Sequence, residues 1–214
     1  MDAQATRDGI LNAAELLFGD HGFPGASLRQ ITDKAGVNLA AVNYHFRSKE
    51  DLYRQVLFRR LRPVNAERLT LLTQAAQLAG DQPVPLRAVL DTFIRPLLRR
   101  ADDPASGGIP FLRLLSRDLL DPPPFLSEEL VREFEPLMTR YTHAFSQALP
   151  GLPPLELFWR MQFALGAQLY VAARQQDFAR RSRSLGPTDS GEGCIRHLVD
   201  FCAAGLGSPP LTAA

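Results

Sequence analysis

The sequence predicts an all-α protein, with a small N-terminal unit of three helices and a larger C-terminal helical domain. Apolar residues recur at spacings of three and four along most of the 214-residue chain, which is the periodicity of amphipathic helices. No segment alternates apolar and polar residues as a half-buried strand does. Because 45% of the residues are hydrophobic, the chain can bury a sizeable core.

The first two predicted helices are bounded by glycine and serine. Apolar residues at helical spacing indicate the first helix, namely Ile10, Leu11, Ala14, Leu17 and Phe18. We expect Gly22 to end it, since glycine readily adopts the left-handed conformation of a C-terminal cap. Ser27 followed by Gln30 is a capping-box pattern, which predicts the start of the second helix. Gly36 is expected to end that helix.

Two further caps predict a third and a fourth helix. Asn38 is the expected N-cap of the third helix, and Ser48 of the fourth. Pro63 lacks a backbone N–H group, so we expect the fourth helix to kink or restart near it. The domain boundary is therefore predicted there, with one unit at residues 1–62 and the other at residues 63–214.

The C-terminal unit contains five further helical patterns and no internal repeat. These patterns lie at residues 86–99, 109–120, 126–149, 155–176 and 193–206. Residues 101–108 and 180–192 are rich in Ser, Gly, Pro or charged residues and are predicted to be loops.

The composition restricts the function. A formal net charge of +1 is not typical of proteins that bind nucleic acid through overall charge, so any DNA contact must be local. Cys194 and Cys202 are too few for a disulfide framework and do not have a zinc-site spacing. The most apolar stretch, residues 155–173, is interrupted by Glu156 and Arg160. No signal-peptide pattern opens the sequence, and we expect a cytoplasmic protein without a membrane span.

The second and third helices, joined by a short turn with a glycine, are typical of a DNA-binding helix-turn-helix. Asn43 can bond an adenine with two hydrogen bonds, and Leu39 can contact a thymine methyl group. Lys49, at the start of the next helix, is a candidate phosphate anchor. The candidate DNA-contacting residues are Ser27, Arg29, Asn38, Leu39, Ala40, Asn43, Tyr44, His45 and Lys49. Ser27 and Asn38 are in the first place helix caps.

The run from Gly36 to Lys49, with residues 10–23 and 27–31, closely resembles the TetR family of repressors. The resemblance covers roughly the first sixty residues. It implies an all-helical homodimer with DNA-binding heads, an effector cavity in each C-terminal domain and an interface built by the last two helices. It also implies that effector binding releases the DNA. Many members have tyrosine where this chain has Asn43, so a phosphate contact by that tyrosine cannot be transferred.

Within that family, the recognition helix is similar to that of the fatty-acid-responsive PsrA-type members. Together with the aromatic residues of the C-terminal helices, this similarity makes a long-chain fatty acid or acyl-CoA the first choice of effector. An aromatic or drug-like compound is the alternative. The expected ligand-pocket residues are Phe111, Leu115, Phe134, Met138, Tyr141, Trp159, Gln162 and Phe163. For any single one of them, an ordinary core position is the stronger expectation.

Small and apolar residues of the last two helices are expected at the dimer interface. They are Gly166, Leu169, Tyr170, Ala173, Leu198, Phe201 and Cys202. Burial within one subunit is the alternative for each of them.

Two other classes of function were considered. The sequence has no P-loop, no glycine-rich dinucleotide turn, no His-Glu-x-x-His and no nucleophile elbow, and its four histidines are scattered. We therefore expect no enzyme activity, no cofactor and no metal. A helical adaptor whose helix-turn-helix does not bind DNA is the remaining alternative. The preferred hypothesis is a repressor whose partners are operator DNA, a small apolar effector and a second copy of the chain.

Overall fold

The computed structural model describes residues 3–182 and 191–210. Within these residues the regular structure is helical without any strand, which confirms the predicted all-α class. The α-helices are α1 (Ala3–Gly25), α2 (Leu28–Ala35), α3 (Leu39–His45), α4 (Lys49–Ala79), α5 (Leu86–Leu98), α6 (Gly108–Leu120), α7 (Ser127–Ala148), α8 (Pro154–Ser182) and α9 (Gly191–Leu206). Most of the predicted loop at residues 180–192 lies outside the described residues.

The predicted caps of the second helix are present, whereas α1 does not end at Gly22 as predicted. Its backbone departs from helical geometry at Gly22, with φ 70°, and the helix continues to Gly25. The left-handed φ at this position favours glycine, and a Cβ atom there would lie 2.9 Å from a terminal nitrogen of the flexible Arg117 side chain. Ser27 Oγ accepts from the backbone N–H of Gln30 and the Gln30 side chain accepts from Ser27 N, which confirms the capping box. Gly36 ends α2 in the left-handed conformation.

The fourth helix is longer than its sequence pattern suggests. α4 continues through Pro63 as one helix and neither ends nor restarts there. The flanking residues Leu61 and Val64 are buried, whereas Pro63 is exposed. Core packing therefore holds the helix on both sides of Pro63. The predicted boundary between residues 62 and 63 thus falls inside α4.

The helices form a small head and a larger body. The head consists of α1, α2, α3 and the first half of α4, and in the body α5 packs against α4, α7, α8 and α9. α6 lies between them and packs against both α1 and α8. In residues 3–182 and 191–210, no helix combines the length and the hydropathy that crossing a membrane requires.

Candidate nucleic-acid interface and effector cavity

Helix α3 is fixed to the head by a few apolar side chains. Val42 is 1% exposed, and Phe46, which follows the helix, is also buried. They join Ile31 of α2 in the core of the head. A seven-residue helix has little intrinsic stability, so this anchoring, together with the Asn38 cap on the N–H of Ala41 at 2.9 Å, defines its orientation.

The opposite face of α3 is open to solvent. Tyr44 is 81% exposed and Leu39 is half exposed, although both are large apolar or aromatic residues. Ala40 and Asn43 are exposed beside them, and His45 is half-buried. The structure therefore brings together on one surface the residues predicted to enter the groove. A face of this kind, polar in part and raised on a short helix, has the shape that the major groove admits.

Three other predicted contacts differ from one another in their surroundings. The side chains of Ser27 and Asn38 each accept a hydrogen bond from a helix N-terminus, and both residues are exposed. Arg29 is exposed in the first turn of α2. The side chains of Ser27 and Asn38 are therefore engaged as caps, whereas the exposed Arg29 adds a positive charge to the head.

The side chain of Lys49 is turned into the head. Its Nζ donates to the backbone carbonyl of Phe23 at 2.6 Å and lies 4.4 Å from the centre of the Phe23 ring. Desolvation lowers the pKa of Lys49, although the charge of Glu50 opposes this effect. In this conformation the ammonium group joins α4 to the end of α1 and does not extend to solvent, so its surroundings differ from those expected of a phosphate anchor.

Sequence reasoning missed Arg47, which lies in the turn between α3 and α4. This residue is exposed, and its backbone N–H donates to Asp51 Oδ2 at 3.0 Å. It borders a surface groove that also includes Asn43 and Tyr44. The signal was its position directly after the recognition helix, where a cation can reach a phosphate.

A narrow apolar cavity lies in the body between α5, α7, α8 and α9. Its free volume is about 20 Å³, space for about one water molecule, so a larger ligand must displace side chains of its lining. Its lining is Leu90, Phe93, Ile94, Met138, Tyr141, Phe145, Met161, Gln162, Ala164, Leu165 and Leu206. A mostly apolar lining with a few polar groups is typical of small-molecule sites.

Only part of the predicted pocket set lines this cavity. Met138, Tyr141 and Gln162 do, whereas Phe111 and Leu115 are buried where α6 packs against α1 and α8. Phe134 packs against the edge of the core.

Trp159 and Phe163 are in a different place from the predicted one. Trp159 is 52% and Phe163 is 69% exposed, because both lie on the outward face of α8. With Gly166 and Tyr170 they follow one another at spacings of four, three and four residues, which places them on a single helix face. Their placement in the pocket is therefore corrected to an outer surface of the body.

The predicted dimer residues divide into two groups. Gly166, Tyr170 and Phe201 are exposed, and Ala173 is half-buried. The other three are buried within the subunit, namely Leu169, Leu198 and Cys202. These three contribute to the core of the body instead, and burial raises the pKa of the Cys202 thiol to about 11.

Helix α6 connects the cavity wall with the head through polar contacts. Ser116 Oγ donates to the carbonyl of Leu169 in α8 at 3.2 Å. Arg117 donates to the carbonyl of Phe18 in α1 at 3.0 Å. Asp118 Oδ1 accepts from the hydroxyl of Tyr53 in α4 at 2.7 Å. Three consecutive residues of α6 therefore hold three different helices.

Comparisons with known proteins agree with this architecture. A family model described as "Tetracyclin repressor-like, C-terminal domain" matches residues 91–205, which is more than half of the chain. The chain belongs to the TetR family. A second model, "Bacterial regulatory proteins, tetR family", matches residues 10–56 of this TetR-family chain. The family resemblance noted in the sequence is thereby confirmed, and the PsrA-type subgroup stays a prediction.

Relatives of known name match part of the chain. The chain is 37% identical over 89 residues to the HTH-type transcriptional regulator AcrR of Shigella flexneri, which is 42% of this chain and 40% of AcrR. It is 31% identical over 102 residues to the HTH-type transcriptional repressor BepR of Brucella suis biovar 1 (strain 1330), which is 48% of this chain and 46% of BepR. The chain thus spans less than half the length of these relatives.

Among solved structures, a TetR-like transcriptional regulator from Rhodococcus sp. RHA1 has a similar fold. The TM-score is 0.62 at 19% identity, over 95% of this chain and 97% of that one. At this identity the likeness concerns the fold alone.

Proposed function

We propose that this TetR-family protein is a transcriptional repressor that binds a palindromic operator as a homodimer and leaves it when a small apolar molecule binds the body. The observation that carries the proposal is the exposure of Leu39, Asn43 and Tyr44 on a helix that Val42 and Phe46 anchor from behind. An apolar or aromatic side chain kept in water has an unfavourable solvation free energy. A partner that covers this face, such as the floor of the major groove, removes that cost.

The roles of the interface residues follow from their chemistry. Asn43 is assigned to an adenine edge, and Leu39 and Ala40 to thymine methyl groups. Tyr44, His45 and Arg47 are assigned to phosphates. Residues 1–62 form the DNA-binding unit in this proposal, and residues 63–214 bind the effector and the second subunit.

The dimer is proposed to form through the outer face of α8 and the exposed side of α9. Trp159, Phe163 and Tyr170 are exposed on one side of α8, and Phe201 is 71% exposed on α9. Large aromatic residues grouped on a surface mark interaction sites in soluble proteins. Gly166, in the middle of this face, lets a second helix approach closely.

The effector is proposed to occupy the apolar cavity. The flexible side chains of Met138 and Met161 in its lining can move aside for an acyl chain, since methionine adapts to irregular apolar ligands. A long-chain fatty acid or acyl-CoA is the first choice, and a flat aromatic compound is the alternative to be tested beside it.

Selection of genomic fragments with purified protein tests the proposal directly. We expect enrichment of a palindrome whose half-sites lie about 34–36 Å apart, with an affinity that falls steeply as salt rises. Asn43→Ala should weaken operator binding about 10- to 100-fold, and Gln74→Ala, an exposed position on α4 away from the face, is the matched control. Binding without sequence preference, or equal loss in both variants, would contradict the proposal.

The second candidate, a helical adaptor, gives a different result in the same assay. It would enrich no fragment, and its association with DNA would not depend on Asn43. A protein partner would then cover the exposed side chains of Tyr44 and Leu39.

A further inference from the structure

The most unusual group in the body is a buried arginine on α4. Arg68 is 2% exposed and is the largest of the fully buried side chains among the described residues. A buried charge is strongly unfavourable unless it is paired with an opposite charge and hydrogen-bonded. Its partners therefore decide what the group does.

Only neutral acceptors surround the guanidinium. Nε donates to the carbonyl of Phe93 at 2.9 Å, Nη1 to Asn65 Oδ1 at 3.2 Å and Nη2 to Gln168 Oε1 at 3.5 Å. Guanidinium has five N–H groups, so these contacts use three of them. In the part of the chain that the structure describes, no carboxylate forms an ion pair with Arg68, and the neighbouring Glu67 pairs with Arg99 and Arg100 instead.

A second unsatisfied donor lies beside it. Nδ2 of Asn65 is buried and has no hydrogen-bond partner among the described residues. Its amide oxygen already accepts from Arg68, so the orphan N–H groups of Asn65 and the spare N–H groups of Arg68 belong to one cluster. The cluster has a surplus of donors and a positive charge, which is the composition of an anion site.

This cluster adjoins the inner wall of the cavity. The Phe93 ring covers the guanidinium, with 4.2 Å between Cζ and the ring centre, and Phe93 also lines the cavity. The Tyr141 hydroxyl lies 3.1 Å from the carbonyl of Arg68, and Tyr141 is another lining residue. Phe93 and Tyr141 therefore each contact Arg68 and line the cavity, so the cluster lies one side chain away from the cavity.

We propose that the effector carries a carboxylate, which binds Arg68 and Asn65 beside the cavity while its apolar chain enters between α5, α7, α8 and α9 and displaces the lining side chains. The carboxylate oxygens accept from the spare N–H groups of Arg68 and from Asn65 Nδ2. This inference rests on the proposed effector cavity. Burial lowers the pKa of Arg68 to about 10, so the group is cationic at neutral pH and retains its charge for the ligand.

Paired probes of equal chain length test the inference. Octanoate and octan-1-ol differ in the head group and share the apolar chain, and calorimetric titration near neutral pH measures both dissociation constants. For the unaltered protein we expect octanoate to bind about 10- to 100-fold more tightly than the alcohol, the range of a charge-assisted hydrogen-bond pair. Equal affinity for both would overturn the inference and leave the cavity proposal intact. Failure of both probes to bind would overturn the cavity proposal as well.

Two variants locate the effect. Arg68→Met removes the charge at similar volume, so the preference for octanoate should vanish while the affinity for octan-1-ol is kept. Arg87→Met, an exposed arginine of α5, is the control that should keep the full preference. If Arg68→Met does not fold, Asn65→Leu serves as the test. This variant removes the unpaired Nδ2 donor and should reduce the preference for octanoate over octan-1-ol about tenfold. A preference unchanged in these variants would refute the assignment.

Discussion

The contact between Asp118 and Tyr53 predicts a measurable pH dependence of stability. Both residues are fully buried, and the second carboxylate oxygen of Asp118 has no partner among the described residues. Burial raises the pKa of Asp118 to about 6, although the hydrogen bond from Tyr53 and the charge of Arg117 act in the opposite direction. The folded protein therefore holds this proton more tightly than the unfolded chain does.

The sign of the effect follows from linkage. A carboxyl group whose folded pKa exceeds its unfolded value of about 3.9 stabilises the fold when it is protonated, and that contribution is lost as the pH rises through about 6. Between about pH 4 and pH 7.5 the loss amounts to about 2 kcal/mol for this one group. Other carboxylates titrate in the same pH interval. The contribution of Asp118 is therefore measured as the difference in stability between the unaltered protein and a variant that lacks this carboxyl group.

Asp118→Asn is the perturbation that isolates it. The variant keeps an acceptor for the Tyr53 hydroxyl and removes the titration, so the stability of the unaltered protein relative to the variant should fall by about 2 kcal/mol from about pH 4 to pH 7.5. Urea unfolding followed by circular dichroism at one protein concentration measures this difference. Asp121→Asn, at an exposed position just after α6, is the control without such a trend. A difference between wild type and Asp118→Asn that does not vary with pH would refute the reasoning.

Three further predictions concern the head and the outer face of α8. Lys49→Met should lower the melting temperature because the contacts with Phe23 are lost. The slope of the logarithm of the DNA-binding constant against the logarithm of the salt concentration should not change. A slope less steep by about 0.9 would instead assign Lys49 to a phosphate contact. Ser27→Ala removes the capping box and should cost about 1 kcal/mol of unfolding free energy; a smaller cost in urea titration than for an exposed control would argue against the cap. Phe163→Glu should yield monomers in sedimentation experiments, whereas Val131→Glu, equally exposed on α7, should leave the oligomeric state unchanged.

The head was largely predictable because its signals are local. Ser27, Gly36 and Asn38 act on the backbone within three or four residues, and the structure contains each predicted cap. The inward direction of Val42 and Phe46 follows from helical spacing in the same way. Local signals fail at Pro63, where packing on both sides keeps the helix intact.

The body was less predictable because aromatic residues are compatible with three environments. Phe111 is in the core, Tyr141 lines the cavity and Trp159 faces solvent, yet all three lie on apolar helix stripes in the sequence. The apolar periodicity shows which residues share one face of a helix, but it does not show whether that face packs against the core, a cavity or solvent. Arg68 was missed for a related reason, since an arginine on an amphipathic helix is by default assigned to solvent.

Under the proposed function, the polar contacts of α6 give a ligand in the body a route to the head. Ser116, Arg117 and Asp118 are consecutive, so their side chains leave the helix about 100° apart and reach α8, α1 and α4 in turn. A shift of α8 would therefore either break the contact with Ser116 or move α6 as well. If α6 moves, Arg117 transmits the movement to the carbonyl of Phe18 in the head. Helix α4 supplies a second connection, because it carries Arg68 in the body and Tyr53 in the head. An anion bound at Arg68 would act on the head through α4. An apolar chain packed against α8 would act on it through α6. The two parts of one effector would therefore influence the head by two separate connections.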